Sequence, residues 1–419
     1  MARILILGAG FAGLNAAKVF AESKNTEVTI IDQKNYHLFQ PLLYQVATAA
    51  LSPAEIAVPI RTIFSKAKNI EVVQGEVYQI VPETKSILTN VGEFNYDYLI
   101  VACGARHVYF GNDTWEVHAP GLKTIEQATE IRRRVLTAFE NAETEKDIKK
   151  KTKLLTFVIV GGGSTGVELA GALGELSRFT FARDFKNIDL KLTCIILVEA
   201  GARILPDFSK KLSAQAQHNL ENLGIRVLTS KKVTEIDADG VNLGDERIEA
   251  ATVIWAAGIQ ASNLNRQLKG ELDAIGRIIV EPDLSLKKYP EIFIAGDQAH
   301  FSHQTGKPLP ANAPVALQQG RFIAKNILKE LAGKTKKKFH YIDKGHLAAI
   351  GRNKAVLEIG YFKLGGFWAW IIWLFVHIYY LIGFQNKFMV FVQWAFSYLS
   401  FKKGARLVVD KKWQFYSKR

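Results

Sequence analysis

Hydrophobic residues in this chain fall into short, nearly continuous runs, and two of these runs end in the same glycine-rich motif. Residues 4–7 and 157–160 are apolar and rich in branched side chains, and each run leads into a Gly-x-Gly-x-x-Gly sequence followed by helix-forming residues. A short continuous apolar run is typical of a buried parallel strand. The pattern therefore predicts two strand-turn-helix units of the kind that bind dinucleotides.

The glycines of each motif have separate predicted roles. The first permits a tight turn after the strand, the second lets the backbone approach a pyrophosphate, and the third lets the helix pack closely on the strand. An acidic residue that ends the next apolar strand is expected to accept hydrogen bonds from a ribose. These residues are Gly8, Gly10, Gly13 and Asp32 in the first copy, and Gly161, Gly163, Gly166 and Glu199 in the second. The longer spacing in the second copy predicts an insertion around residues 178–189.

Further apolar strands that end in glycine complete the pattern. Residues 96–104 end in Gly104, and residues 252–258 end in Gly258. The apolar run that begins at residue 292 ends in two adjacent candidates, Gly296 and Asp297. A charged helix is expected from residue 124 to about 153, with the lysines at 149–151 as a solvated linker.

The predicted fold class is α/β, with two Rossmann-like dinucleotide-binding domains, the second nested in the first, and a C-terminal helical membrane-anchoring region. The predicted boundaries are 1–120 and 263–335 for the first domain, 121–262 for the nested domain, and 336–419 for the C-terminal region.

Positive charge and tryptophan are concentrated at the C-terminal end. The formal net charge of the chain is +14, and residues 361–419 contain nine Lys or Arg against one Asp, together with five of the seven tryptophans. The aromatic residues lie within long apolar runs rather than on a solvated face, which excludes a nucleic-acid site and favours a membrane surface. The runs at 367–384 and 388–401 would be roughly 27 and 21 Å long as helices, short of the roughly 30 Å hydrocarbon core. Two interfacial helices or a shallow hairpin are therefore expected, with a buried dimer interface as the alternative.

Cysteine and histidine usage excludes several kinds of site. The two cysteines, Cys103 and Cys194, fall in separate apolar strands, so a disulfide framework is not expected. The protein is therefore expected to reside in a reducing compartment. No metal-ligand spacing occurs, so no metal site is predicted. Cys103 is interpreted as an inert, buried thiol. The apolar start of the chain runs into the first glycine motif and is interpreted as a core strand, not a signal peptide.

The motifs and their order along the chain resemble those of a known group of flavoproteins. The order of two glycine motifs, strand-plus-glycine elements and Gly296-Asp297 is similar to the flavoproteins with two dinucleotide-binding domains. Within that superfamily, three segments resemble the type II NADH:quinone oxidoreductases. They are Asn35-Tyr36-His37-Leu38-Phe39-Gln40-Pro41-Leu42-Leu43-Tyr44-Gln45, the segment from Gly161 to Glu168, and the aromatic tail. The resemblance covers essentially the whole chain.

The resemblance implies a non-covalent FAD in the first domain and NADH in the second. It implies that hydride passes from NADH to FAD and that two electrons then pass to a membrane quinone, without proton pumping. It also allows a homodimer. Because the start is not interpreted as a signal peptide, the nucleotide-binding domains are expected to stay cytosolic, with the tail in contact with the lipid surface on the cytoplasmic face of the membrane. The implied nucleotide-contacting residues, besides those already named, are Phe11, Ala12, Gln40, Pro41, Leu42, Ala102, Ala316, Leu317 and Thr165.

Two residues are the candidates for catalysis. The resemblance places Glu168 beside the nicotinamide and the flavin edge, whereas a plainer interpretation is a carboxylate in the first turn of a helix that complements the helix dipole. It places Gln318 at the quinone entrance. Pro314 stands where the family often has a first glutamine, which leaves Gln318 as the polar quinone contact.

The acidic residue of the second motif indicates which nucleotide is used. Glu199 favours NADH over NADPH, because a carboxylate repels a 2′-phosphate, although Arg203 lies close in sequence.

Two other functions remain open on the sequence. One is a flavin-dependent reductase of another acceptor, such as a soluble ferredoxin-like protein, and the other is an NADH-sensing flavoprotein with little turnover. The aromatic tail favours the quinone enzyme over both. If the tail only brings the quinone entrance to the lipid, removal of residues from about 365 should leave both nucleotide-binding domains intact.

Overall fold

The computed structural model describes residues 1–400 and 404–409. Part of the basic, aromatic tail falls outside these residues, namely Lys402, Lys403, Lys411, Lys412, Trp413, Lys418 and Arg419. The described chain divides into two compact units, and each unit is made of three separate segments of the sequence. The first unit contains residues 1–38, 57–107 and 259–344, and the second contains residues 39–56, 108–258 and 345 onward.

Short strands dominate the N-terminal quarter of the chain. The strands are β1 (Ala2–Leu7), β2 (Thr26–Asp32), β3 (Tyr36–Leu38), β4 (Ala57–Pro59), β5 (Ile70–Gln74), β6 (Val77–Val81), β7 (Ser86–Thr89), β8 (Gly92–Asn95), β9 (Tyr98–Val101) and β10 (Ala105–His107). The helices are α1 (Phe11–Phe20), α2 (Leu43–Ala47) and α3 (Ile60–Ile63).

The middle of the chain alternates helices and strands. The helices are α4 (Ile125–Thr144), α5 (Ile148–Leu154), α6 (Ser164–Glu175), α7 (Ala182–Asp184) and α8 (Lys210–Asn222). The strands are β11 (Thr156–Val160), β12 (Cys194–Val198), β13 (Ile225–Leu228), β14 (Glu235–Asp237), β15 (Gly240–Leu243), β16 (Glu246–Glu249) and β17 (Thr252–Trp255).

The last part of the chain contains the longest apolar helices. The strands are β18 (Ile259–Ala261), β19 (Ile278–Ile279), β20 (Ile292–Ile294), β21 (Ala299–His300), β22 (His346–Gly351), β23 (Lys354–Ile359) and β24 (Phe362–Gly366). The helices are α9 (Ala313–Leu331), α10 (Phe367–Tyr380) and α11 (Phe384–Ser400). Among the described residues, no helix has both the length and the apolar character needed to cross a bilayer.

Each unit is built around a parallel sheet, as the apolar runs predict. The first unit has the strand order β20-β9-β1-β2-β5, and the second has β13-β12-β11-β17. In both sheets the strand before the glycine motif is central, with the next strand of the chain on one side and a later strand on the other. Such a reversal of strand order opens a crevice at the carboxyl end of the central strand, where nucleotides bind in doubly wound folds. The predicted α/β fold with two Rossmann-like units is confirmed.

Close helix packing in each unit depends on a glycine without a side chain. In the first unit α9 packs on α1, and a Cβ at Gly320 would lie 2.0 Å from the carbonyl oxygen of Ala12. In the second unit α6 packs on β22, and a Cβ at Gly171 would lie 1.8 Å from the carbonyl oxygen of Ile350. Any larger residue would force the two elements apart, because interiors are close-packed.

The charged segment after residue 124 is not one helix followed by a linker. It forms two helices, α4 and α5, that are separated at Glu145. Asp147 begins α5 by accepting a hydrogen bond from the backbone N–H of Lys149 at 2.9 Å. The lysines at 149–151 are mostly exposed, as predicted, but they lie in a helical turn rather than in a linker, because this cap begins a new helix.

The C-terminal helix α10 is part of the core of the second unit. Ala369, Trp373 and His377 repeat every four residues and form one buried face, with exposed fractions of 0, 2 and 9 %. Helix α10 packs on β22, β23 and β24. Burial of a tryptophan side chain of this kind stabilises a fold by about 1.5–3 kcal/mol. Removal of residues from 365 onward would uncover this core, so the structure gives reason to expect that the second unit does not stay intact without them.

The carboxyl end of α11 is held by two arginines of the same unit. The guanidinium of Arg352 donates to the carbonyl oxygens of Ser397 and Tyr398 at 2.8 Å, and Arg183 donates to that of Ser400 at 3.3 Å. Carbonyl groups at a helix end lack partners within the helix, and cations are stabilised there by the helix dipole. These contacts fix α11 on the second unit.

Candidate functional site

The first glycine motif has the geometry of a nucleotide-binding turn. Gly8 has a φ of +93°, and a Cβ there would lie 2.5 Å from the carbonyl oxygen of Ala102. A Cβ at Gly13 would lie 1.9 Å from the carbonyl oxygen of Gly8, whereas a Cβ at Gly10 would meet nothing within 4 Å. The first and third glycines therefore allow close packing, and the second faces open space in front of α1.

Asp32 ends β2 beside this turn. Its carboxylate accepts from the backbone N–H of Ala9 at 2.6 Å and from that of Lys34 at 2.7 Å. Burial raises the pKa of this carboxyl, and the two backbone donors act in the opposite direction. The carboxylate thus holds the glycine turn in place, and each oxygen keeps a lone pair for a further donor.

A buried histidine that was not identified from the sequence supports the same turn. His37 in β3 is 2 % exposed, and its Nδ1 lies 2.8 Å from the carbonyl oxygen of Ala9. Because a carbonyl only accepts, Nδ1 carries the proton. Burial lowers the pKa of His37 to about 4, so the ring stays neutral. His37 lies in the segment from Asn35 to Gln45 that was noted in the sequence, but it was given no role there.

Two glutamines hold the loop of Gly296 and Asp297, which forms a short turn after β20. Gln319 of α9 accepts from the backbone N–H of Gly296 at 2.7 Å. Gln298 accepts from the backbone N–H of Cys103 and donates to Asn265 at 2.7 Å. The loop that contains Ala102 and Gly104 is therefore tied to the loop that contains Asp297. Neither glutamine was a sequence candidate.

The interpretation of Cys103 as a buried strand residue is wrong. Strand β9 ends at Val101, and the Cys103 side chain is solvent-accessible. Its Sγ lies 3.7 Å from the carbonyl oxygen of Leu7, and desolvation by neighbouring protein atoms, together with the charge of Asp32, raises the pKa of the thiol. The thiol therefore stays protonated, which makes it a poor nucleophile despite its exposure.

The N-terminal part of α9 contains three predicted contacts, Ala316, Leu317 and Gln318. Asn312 begins the helix by accepting from the backbone N–H of Val315 at 3.1 Å, and Pro314 occupies the first turn, where a missing N–H costs nothing. The amide of Gln318 donates to the carbonyl oxygen of Ile342 at 2.9 Å and accepts from its N–H at 3.0 Å. Among the residues that the structure describes, one amide hydrogen and one lone pair of Gln318 have no further partner.

The second glycine motif repeats the geometry of the first within the second unit. Gly161 has a φ of +113°, a Cβ at Gly166 would lie 1.9 Å from the carbonyl oxygen of Gly161, and a Cβ at Gly163 would meet nothing within 4 Å. Thr165 is exposed in the first turn of α6. Gly258, after β17, lies against the side chains of Val108 and Phe110.

Glu199 matches the position of Asp32 in the first unit. Its carboxylate accepts from the backbone N–H groups of Gly162 and Gly201, both at 2.6 Å. The guanidinium of Arg203 is directed to the carbonyl oxygens of Pro206 and Phe208 in its own loop. Arg203 is therefore occupied by its own loop in this structure.

Glu168 lies in the second turn of α6, not in the first, so the helix-dipole explanation does not apply. Its Oε1 accepts from the backbone N–H of Ala349 in β22 at 3.3 Å. Although part of the side chain is accessible, the enclosing protein raises the pKa of this carboxyl to about 8. The indole of Trp373 faces the carboxyl of Glu168 and acts to lower this pKa. The indole N–H nevertheless makes no hydrogen bond of normal geometry among the described residues. Glu168 therefore holds its proton to a higher pH than an ordinary glutamate does.

The segment that contains Gln40, Pro41 and Leu42 belongs to the second unit. It forms a short helical turn that leads into α2, in which Leu42 is fully buried and Gln40 donates to the carbonyl oxygen of Lys123 at 3.1 Å. Tyr44 follows in α2. Burial raises the pKa of its phenol, and the negative charge of an ionised Glu168 raises it further. Within residues 1–400 and 404–409, no group of His, Cys, Asp or Glu is arranged to hold a metal ion.

Comparisons with known proteins agree with this geometry. The family described as pyridine nucleotide-disulphide oxidoreductase matches residues 2–320, and the NDH2 C-terminal domain matches residues 344–401. The type II NADH:quinone oxidoreductase Ndh of Mycobacterium tuberculosis is 40% identical over 98% of this chain and 90% of its own length. The corresponding Staphylococcus aureus protein is 30% identical over 84% of this chain and 89% of its own length.

The fold also matches a solved structure of this group. NDH2 from Plasmodium falciparum in complex with NADH has a TM-score of 0.88 at 21% identity, covering 98% of this chain and 100% of that one. The chain therefore belongs to the type II NADH:quinone oxidoreductases, FAD-containing enzymes that transfer electrons from NADH to a quinone without pumping protons.

Proposed function

We propose that the first unit holds one FAD, that the second unit binds NADH, and that the chain passes two electrons from NADH through the flavin to a membrane quinone. The observation that carries this assignment is the repeated nucleotide turn, in which Gly10 and Gly163 each leave open space before a helix N-terminus. Backbone N–H groups at such a helix end attract a pyrophosphate. When bound, FAD supplies the two-electron chemistry that no side chain provides.

The residues of the first unit fit this cofactor. Helix α1 begins directly after Gly10, so the N–H groups of its first turn face the open space. Asp32 keeps lone pairs for ribose hydroxyls while it fixes the turn through Ala9. Asp297 and the backbone near Gly296 are fixed by Gln319 and Gln298, which makes that loop a rigid second contact. Hydrogen bonds and packing of this kind hold the cofactor without a covalent bond.

The residues of the second unit fit NADH better than NADPH. Glu199 would accept hydrogen bonds from the 2′- and 3′-hydroxyls of the adenosine ribose and would repel a 2′-phosphate. An arginine could reverse this preference, but the carbonyl groups of Pro206 and Phe208 already occupy Arg203. We therefore expect NADH to be strongly preferred.

Glu168 and Gln318 are the proposed catalytic side chains. Below pH 8 Glu168 holds a proton on its carboxyl, with Oε1 directed to the Ala349 N–H, so a neutral proton donor is present in the nucleotide-binding unit. Quinone reduction takes up two protons, and Glu168 can release one. Gln318 can still offer one N–H to a quinone oxygen while Ile342 holds its amide in place.

An anaerobic redox titration tests this function. We expect the purified full chain to release FAD on denaturation, to lose its flavin absorbance with one equivalent of NADH, and to regain it with one equivalent of a short-chain quinone. NADPH should reduce the flavin far more slowly. Release of FMN, or a flavin that stays reduced after quinone addition, would contradict the proposal and favour a reductase of another acceptor or a sensor.

We further propose that the C-terminal helices attach the enzyme to the cytoplasmic face of the membrane. Helices α10 and α11 bury one face, which includes Trp373 and Val390, yet carry many exposed large apolar side chains on the other. We define the apolar face as these residues: Trp368, Phe375, Tyr379, Phe384, Phe388, Phe391 and Phe396. A concentration of exposed aromatic side chains on two consecutive helices is typical of a membrane or protein contact. Aromatic rings and nearby basic residues suit the lipid interface.

Replacement of three residues of the apolar face by serine should release the enzyme from anionic vesicles. Phe384, Phe388 and Phe391 are exposed, so their replacement leaves the core unchanged. High salt alone should not release the wild-type chain, since apolar burial is not screened. Serine at Tyr78, Val91 and Val117, which are exposed elsewhere, is the matched control. Continued vesicle binding by the triple variant, with loss of a dimer on gel filtration, would identify the face as a dimer interface.

A further inference from the structure

A chain of hydrogen bonds in the second unit connects the C-terminal helix α11 to α2. The indole Nε1–H of Trp394 donates to Oε1 of Gln45 at 2.7 Å, and Nε2 of Gln45 donates to the hydroxyl oxygen of Tyr44 at 3.2 Å. Tyr44 and Gln45 are 7 and 8 % exposed. The segment that contains them was noted in the sequence, but neither residue was given a role.

The chemistry of these groups fixes the direction of every hydrogen bond. An indole N–H can only donate, so the Gln45 oxygen must face Trp394. The Gln45 nitrogen must then face Tyr44, and an amide N–H also only donates. The Tyr44 oxygen is therefore the acceptor in this pair, which leaves its own proton free to be donated elsewhere.

The proton of Tyr44 has no acceptor among the described residues. A buried hydroxyl without an acceptor is destabilising, so a partner for this proton is expected when the site is loaded. Burial raises the pKa of the phenol well above its usual value, so Tyr44 retains its proton under all physiological conditions. The indole rings of Trp373 and Trp394 pack on each other, with their centroids 5.1 Å apart, and Glu168 is close enough to Tyr44 for its ionised form to raise the pKa of the phenol further. A neutral carbonyl oxygen on a ring compound would satisfy the Tyr44 hydroxyl beside these aromatic side chains.

We propose that Tyr44 donates a hydrogen bond to a carbonyl oxygen of the quinone headgroup, and that Gln45 and Trp394 are positioning residues that keep its proton directed toward the substrate. The inference rests on the proposed function, since it concerns how the same enzyme binds its electron acceptor. It gives α11 a role beyond attachment, because Trp394 sets the orientation of a substrate-binding hydroxyl.

Replacement of Tyr44 by phenylalanine removes only the hydroxyl. We expect Tyr44→Phe to raise the KM for a short-chain quinone about tenfold, with a smaller change in kcat. The rate of flavin reduction by NADH should not change, and neither should the reduction of ferricyanide, which has no carbonyl oxygen. Tyr78→Phe, which removes a hydroxyl from an exposed tyrosine, should behave as the wild type.

A double-mutant cycle separates positioning from packing. Trp394→Phe frees the oxygen of Gln45, whose amide can then turn and accept the Tyr44 proton. The variant should raise the quinone KM about threefold in the wild-type background and leave it unchanged in the Tyr44→Phe background, because coupled residues are not additive. Additive effects, or a quinone KM that Tyr44→Phe leaves unchanged, would overturn the proposal. Failure of the wild-type chain to reduce quinone at all would instead reject the proposed function.

Discussion

Replacement of Glu168 by glutamine is expected to stabilise the second unit at alkaline pH while it slows quinone reduction. Burial raises the pKa of this carboxyl from 4.5 to about 8. Between these values the folded chain keeps a proton that the unfolded chain has lost, so stability falls as pH rises. One pKa unit corresponds to about 1.4 kcal/mol, which gives a penalty of at most about 5 kcal/mol above pH 8. Glutamine does not titrate and can still accept from the Ala349 N–H.

Denaturant unfolding of both proteins between pH 4 and pH 9 measures this effect. The difference in unfolding free energy should be near zero at pH 4, grow through pH 5–8, and level off above pH 8. Glu140→Gln, at an exposed position in α4, should show no such growth. A constant difference across the range would mean that Glu168 is ionised in the folded chain. Quinone turnover should fall about 10²-fold, as for loss of a general acid.

Substitution of Gly163 by alanine is expected to weaken NADH binding more than tenfold without loss of the fold. Its φ of −70° suits alanine, and a Cβ there would meet nothing within 4 Å, so the apo protein is unaffected. The added methyl group would occupy the space that a pyrophosphate needs. We expect the KM for NADH to rise more than tenfold, with an unchanged melting temperature and an unchanged FAD content.

Two further glycine variants serve as comparisons. Gly10→Ala should show the reciprocal pattern, with FAD lost and NADH binding retained. Gly166→Ala should unfold the second unit more easily, because its Cβ would lie 1.9 Å from the Gly161 carbonyl oxygen and displace α6. Normal NADH binding by Gly163→Ala would show that the nucleotide does not approach this turn.

The sequence predicted the features that depend on neighbouring residues. The turn at Gly8 and the turn at Gly161 follow from an apolar strand, three glycines and a helix within a few positions. Asp32 and Glu199 were identified because the next strand of a βαβ unit lies beside the first and ends at the same edge. The break at Glu145 was missed because helical propensity continues through it and only the cap at Asp147 marks the new start.

What the sequence determined by itself is the pair of parallel sheets, their two nucleotide turns and the family, because these depend on local spacing and periodicity. Only the tertiary structure decided which polar groups are buried and what faces them. The carboxyl of Glu168 meets the N–H of Ala349, and Gln45 meets Trp394, at sequence separations of 181 and 349 residues. The burial of Trp373 likewise makes α10 a part of the core rather than a removable anchor. The pKa of a carboxyl and the direction of a hydrogen bond depend on the groups packed around them, and packing between distant segments leaves no periodic signal in the sequence.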